Sequence, residues 1–177
     1  MHTQNNFRRK ENERGFTLLM AALISSVVFA LGASIFALAQ KELTLSSIGR
    51  DSQFAFYAAD TAAECALYWD FRFSYFATTT PEGVTPTCDT QEMGPFTVVP
   101  SQNPPYSSPY TMTSARMDFF KNVTPIGDFC AQVWVEKTIN SSSGDVRTTI
   151  HADGYNVHCD QVDTSPRTLQ RSVELHY

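Results

Sequence analysis

Phe16-Thr-Leu-Leu-Met-Ala-Ala-Leu-Ile-Ser-Ser-Val-Val-Phe-Ala-Leu-Gly-Ala-Ser-Ile-Phe-Ala-Leu-Ala39 decides the fold. As a helix these 24 residues span roughly 36 Å at about 1.5 Å per residue, enough to cross a bilayer. The run sits inside an uncharged stretch from Gly15 to Gln40. A buried core helix is the competing reading, but core helices usually carry a polar stripe, and none is present here. Upstream lie Arg8, Arg9, Lys10 and Arg14 against Glu11 and Glu13, and downstream the sequence is mostly acidic. The positive-inside rule therefore places the stub in the cytoplasm and the bulk of the chain outside, with a single pass through the cytoplasmic membrane.

Outward from the run, residues 41–76 keep a helical period. Leu45, Ile48, Ser52, Ala55, Ala59, Ala62, Ala66, Trp69 and Phe73 recur at steps of three and four, while Lys41, Arg50, Asp51, Asp60, Glu64 and Asp70 fall mostly elsewhere on the wheel. No proline interrupts residues 16–80, so the spacing predicts one helix of about 55 to 60 residues, far longer than the globular mean. Gly32 is its only obvious soft point.

Residues 77–115 hold seven of the nine prolines and only three charges, Glu82, Asp89 and Glu92. This is loop chemistry with one short strand candidate, Phe96 to Val99. Tyr106 and Tyr110 mark the proline-rich loop as a candidate contact surface. Farther on, Ala131, Val133 and Val135 alternate with Gln132, Trp134 and Glu136. Asn140 to Gly144 turns the chain, and Thr148, Ile150 and Ala152 alternate with Arg147, Thr149, His151 and Asp153. A last strand is expected from Arg171 to Tyr177. The fold class is α+β: a long N-terminal helix with a small antiparallel sheet packed on its outer half.

A net charge of −5 and no basic cluster beyond the first 14 residues exclude a protein built to grip nucleic acid. Compact enzyme signatures such as HExxH, GxSxG, the P-loop and GxGxxG are missing, so no catalytic residue and no cofactor is expected. His151, Asp153, His158, Cys159 and Asp160 are chemically able to bind a metal, and Asp160 and Asp163 to join a calcium loop, but the spacing fits surface residues better and no metal is expected. Asn122 and Asn140 open glycosylation sequons, a short and weak pattern. Cys65, Cys88, Cys130 and Cys159 all follow the apolar run and lack a CxxC pair. An oxidising compartment makes them two disulfides. Of three possible pairings, Cys65 with Cys88 and Cys130 with Cys159 is favoured, each closing a moderate loop at about 3 to 4 kcal/mol.

Arg14-Gly15-Phe16-Thr17-Leu18-Leu19, behind a short basic leader and ahead of a membrane helix that becomes amphipathic, resembles the type IV pilin family. Phe54-Ala-Phe-Tyr-Ala-Ala-Asp-Thr-Ala-Ala-Glu-Cys65 is similar to the helix of minor pilins and of type II secretion pseudopilins. The likeness covers residues 14 to about 70 and beyond them extends to architecture alone. It implies that a prepilin peptidase cuts between Gly15 and Phe16 and that Phe16 is then N-methylated. It also implies that other pilin subunits and the assembly platform are the partners, with membrane lipid around the helix before assembly and a cell-surface filament afterwards. Major pilins usually carry glutamate where this chain has Met20. That departure points to a minor subunit at the filament tip or in initiation. The expected organisation is a leader, 1–15; a transmembrane helix, 16–40; its amphipathic continuation, 41–76; and a loop and sheet region, 77–177, forming one head with the helix.

Two other readings compete. Ala37-Leu38-Ala39 is an A-x-A pattern, so ordinary signal peptidase could release a soluble enzyme or binding domain, although the apolar stretch is about twice a usual signal core. A plain single-span anchored protein explains the hydropathy but not the Gly15–Phe16 junction. The bland reading of Gly15 itself is a helix N-terminal boundary.

Overall fold

The structure is a computed structural model that describes residues 4–81, 83–119 and 129–177, with side chains from residue 15 onward. Helix α1 (Gln4–Phe73) is 70 residues long. It begins upstream of the apolar run rather than at it, because Gln, Arg, Lys and Glu between residues 4 and 14 are all good helix formers. It ends at Phe73, three residues before the expected 76. Ser74 takes a left-handed conformation (φ 50°), and its N–H donates to the Asp70 carbonyl at 2.9 Å, a common helix stop. By internal contacts the chain divides into two units between Ile48 and Gly49. In the first unit every described side chain is exposed.

In the second unit the strands are β1 (Thr87–Cys88), β2 (Gln91–Glu92), β3 (Thr97–Val99), β4 (Tyr110–Thr113), β5 (Met117–Phe119), β6 (Phe129–Ile139), β7 (Val146–Tyr155) and β8 (Gln170–His176). β1 and β2 pair alone; the rest form one antiparallel sheet in the order β3-β4-β6-β7-β8, with β5 also on β6. The expected hairpin is β6–β7, in which Val133 faces Ala152 and Val135 faces Ile150. The expected last strand is β8, one residue earlier than its forecast limits. Strands β1, β2, β4 and β5 were not foreseen, and Tyr110 lies in β4 rather than in a loop. The sequon at Asn122 is outside the described residues. Asn140 is exposed in the hairpin turn, where its side-chain oxygen accepts from the Ser142 N–H at 2.9 Å.

The helix offers the sheet a stripe of alanines. Ala55, Ala58, Ala59, Ala62, Ala63 and Ala66 are fully buried, following the expected period of three and four. Such a stripe contributes methyl groups only, so the bulk of the core comes from elsewhere: Phe76, Met93, Tyr110, Met112, Phe119 and Ile150 are all buried. Small residues on one side and Gly154 on the other bring backbone against backbone. A Cβ at Gly154 would overlap the Ala55 carbonyl oxygen and the Ala59 nitrogen, and would stand 3.0 Å from the Ala59 Cβ. Next to Ala55, Phe54 stacks on Phe129 with ring centroids 4.8 Å apart.

At the other end of the stripe sits a buried ion pair. Lys137 Nζ donates to Asp70 Oδ2, with side chains 9% and 7% exposed, and to Thr148 Oγ1 at 2.8 Å. The Tyr177 hydroxyl donates to the same Asp70 oxygen at 2.6 Å, and its ring stacks on Phe71 at 4.9 Å. One carboxylate from the last turn of α1 thereby gathers β6, β7 and the residue that follows β8. Desolvation offsets much of the attraction within such a pair, but a single partner left alone is costly.

Replacing Gly154 by Ala forces a backbone shift, with an expected loss of about 1 to 3 kcal/mol. Gly49→Ala has no described atom within 4 Å of the new methyl and is expected to be neutral or slightly stabilising. Urea unfolding in detergent, followed by the fluorescence of Trp69 and Trp134, checks both. The same assay is expected to show a loss of about 3 to 5 kcal/mol for Lys137→Met and a much smaller loss for Lys137→Met combined with Asp70→Leu. Equal losses would mean that the pair does not act as a unit.

Candidate functional site

The chemistry of the first unit is that of an apolar rod. Phe16 is 63% exposed and Phe29 79%, and the helix has a window long and apolar enough to cross a membrane, none of it buried. That departs from the buried core helix, whose apolar residues would be covered. Two hydroxyls within the run are satisfied by the helix itself. Ser26 Oγ donates to the Leu23 carbonyl at 2.8 Å and Ser34 Oγ to that of Ala30 at 2.9 Å. Internal satisfaction of this kind removes the cost of carrying serine into hydrocarbon.

Gly15 and Phe16 both lie inside α1 and are exposed, so Gly15 is not a helix boundary. Its φ is ordinary, and a Cβ there would meet no described atom within 4 Å. Nothing within the described chain calls for a glycine at this position. Met20 lies one turn farther along, 45% exposed.

The cysteines form the pairs Cys65–Cys88, with Cα atoms 6.1 Å apart, and Cys130–Cys159, 4.7 Å apart. The first ties α1 to β1, and the second ties β6 to the short 3-10 turn Cys159–Gln161. Asp118 lies within 4.8 Å of both sulfurs of the second pair, but a disulfide has no thiolate to offer a metal. Asp118 is used structurally: Oδ1 accepts the Cys159 N–H at 2.8 Å and Oδ2 pairs with His158 Nε2 at 2.9 Å.

The remaining polar candidates are placed in small local groups. His151 meets Asp153 at 3.0 Å and Glu174 at 3.2 Å, while His176 meets the other Glu174 oxygen at 2.8 Å. The hydrogen bond from His151 holds the Glu174 carboxyl below the usual range. Asp163 is gripped at both oxygens by Arg116, at 2.6 and 3.2 Å, and that bond lowers its pKa. Asp160 lies 3.5 Å from His158.

Tyr110 corrects the proposed contact surface. It is 2% exposed, and its hydroxyl donates to the Phe76 carbonyl at 2.9 Å, so it anchors the core. Tyr106 remains half-buried and packs on the Tyr110 ring at 5.4 Å. Sequence reasoning missed the neighbours of Tyr106, namely Tyr75 and Phe96, which join it around one cleft. It also missed Asp70 and Lys137, because charged residues in an amphipathic pattern read as solvent-facing.

Comparison with family models, curated proteins and solved structures finds no match for this chain. Fold and site together define an α+β protein whose N-terminal helix is long and apolar enough to cross a membrane and whose second unit is closed by two disulfides.

Burial, then Asp70 and then Tyr106 push the Tyr110 phenol up to about 12. Burial and the bond to Asp70 raise Tyr177. Both groups are raised when folded, so their contribution is fully present below the unfolded value of about 10 and is lost as pH rises through the folded values. Urea stability is expected to fall between about pH 10 and pH 12. In an ultraviolet titration both phenols should ionise late, and Tyr177→Phe should remove one of the two. Complete ionisation near pH 10 without unfolding would contradict the assignment.

Proposed function

We propose that the chain is a minor pilin-like structural subunit. A prepilin peptidase cuts it between Gly15 and Phe16, the new amine on Phe16 is methylated, and the N-terminal helix packs into a type IV pilus or related filament. The observation that carries this reading is an exposed apolar run inside α1, directly preceded by a glycine with no packing or conformational use of its own among the described residues. Such a glycine fits the needs of a partner: without a side chain it leaves the scissile bond unobstructed, and Arg14 holds that bond at the membrane interface.

In the filament, helix-to-helix contacts replace lipid contacts. Ala21, Ala22, Ser25, Ser26, Gly32 and Ala33 are small enough for close approach. Repeated head-to-tail contacts with a non-closing rotation make a helical polymer. Met20 sets the position within it. A carboxylate there would cost about 2.5 to 3.5 kcal/mol in the membrane unless it met a cation such as a neighbour's terminal amine. Methionine cannot neutralise that amine, which suits a subunit at the tip or in initiation, where no neighbour above has to be matched.

Mass spectrometry of the N-terminal peptide from the native source is the test. The expected chain starts at Phe16 and is one methyl group heavier, and labelling should place the protein at filament ends. A chain that starts at Gln40 would mean a released soluble domain, and an unprocessed N-terminus would mean a simple membrane anchor; either overturns the proposal. Dense labelling along the whole shaft would overturn the tip assignment.

A further inference from the structure

The cleft beside Tyr106 belongs to the second unit and has no part in the filament argument. Its volume is about 440 Å³, and Tyr75, Phe96, Tyr106, Glu92, Thr80 and Thr85 contribute to its lining. That volume lies within the range of small-ligand pockets. Tyr75 follows the end of α1, Glu92 ends β2, Phe96 precedes β3, and Tyr106 sits in the connection between β3 and β4.

The aromatic walls are fixed. The rings of Tyr75 and Phe96 stand 5.6 Å apart at 48°, and Phe76 holds Phe96 edge-on from below at 5.4 Å. Tyr106 is placed by its backbone N–H, which donates to the Thr78 carbonyl at 2.8 Å, and by its ring contact with buried Tyr110. Its loop is braced by Gln102, which accepts from the Ser107 N–H at 3.1 Å and donates to the Ser107 carbonyl at 3.4 Å. Ser108 Oγ then accepts the Ile139 N–H at 2.6 Å, fastening the loop to β6. A pocket braced in this way loses little entropy on binding.

The charge of the cleft selects its ligand. Ring faces carry negative potential. Glu92 is exposed and is the only charged residue in the lining, where neither lysine nor arginine is present among the described residues. Aromatic rings beside a carboxylate disfavour an anion and reward a cation with an apolar skin. Quaternary ammonium groups have that character, and aromatic cages hold them.

We propose that the cleft formed by Tyr75, Phe96, Tyr106 and Glu92 binds an alkylammonium group, with the methylated nitrogen against the rings and its charge toward Glu92. Two sources carry the same chemistry: a choline headgroup and a methylated lysine side chain.

The test uses the full chain in maltoside micelles, with choline chloride titrated against the aromatic NMR resonances. Saturable shifts are expected at Tyr75, Phe96 and Tyr106. The neutral isostere 3,3-dimethylbutan-1-ol should bind about threefold to tenfold more weakly, the range expected of an exposed to partly desolvated cation–π contact. Tyr106→Leu keeps an apolar side chain in the wall but removes one ring, and Glu92→Gln removes the charge. Each should weaken choline by a similar factor while the β6–β7 resonances stay in place. Glycerophosphocholine binding as well as choline assigns the headgroup source, and a trimethyllysine peptide binding more tightly than choline assigns the peptide source. Equal binding of the neutral isostere, an unchanged affinity in both variants, or no shifts at tens of millimolar choline would overturn the proposal.

Discussion

The structure of the second unit depends on how closely a helix backbone approaches a strand backbone at one point. At Gly154 the sheet comes so near Ala55 and Ala59 that no side-chain atom fits between them. Alanine along the helix and glycine on the strand are therefore one requirement expressed on two elements. With the distance set there, large residues are kept out of that point of the seam and supplied around it by β4, β5, β7 and the segment after α1. The long side chains at the seam's far end then have a short, dry gap to bridge, and Lys137 reaches Asp70 across it.

This division explains what could be read from the sequence. The alanine stripe and the β6–β7 hairpin are legible because helix and strand periods are local properties of the chain. The disulfide pairs followed from loop length. β1, β2, β4 and β5 have two to four residues each, too short to show a period, and they exist because partner strands supply the register. Met93 looked like an ordinary loop residue for the same reason, whereas Phe76 was counted as the end of the helix.

The polar assignments failed or held on similar grounds. Asp70 and Lys137 are 67 residues apart, and nothing near either one announces a buried partner. Tyr110 and Tyr106 look alike in sequence, four residues apart in a proline-rich stretch. One is the buried anchor and the other a cleft wall, because strand alternation turns Tyr110 inward toward the Phe76 carbonyl. His151 and His158 read as surface residues, and each meets two carboxylates, Asp153 and Glu174 for the first and Asp118 and Asp160 for the second.

The two disulfides carry a consequence of another kind. A pull along the chain from the helix toward the far end crosses from Cys65 directly to Cys88 and from Cys130 directly to Cys159. Residues 66–87 and 131–158 are thus bypassed by covalent bonds and bear no tension. Asp70 lies in the first bypassed loop, and Lys137, Thr148 and Gly154 lie in the second. Most of the buried ion-pair network and the glycine side of the close backbone contact are therefore mechanically shielded. Stretching must first spend itself on the segments outside the loops, which carry β2 to β5 and β8, so those strands are loaded before the ion pair between Asp70 and Lys137 is.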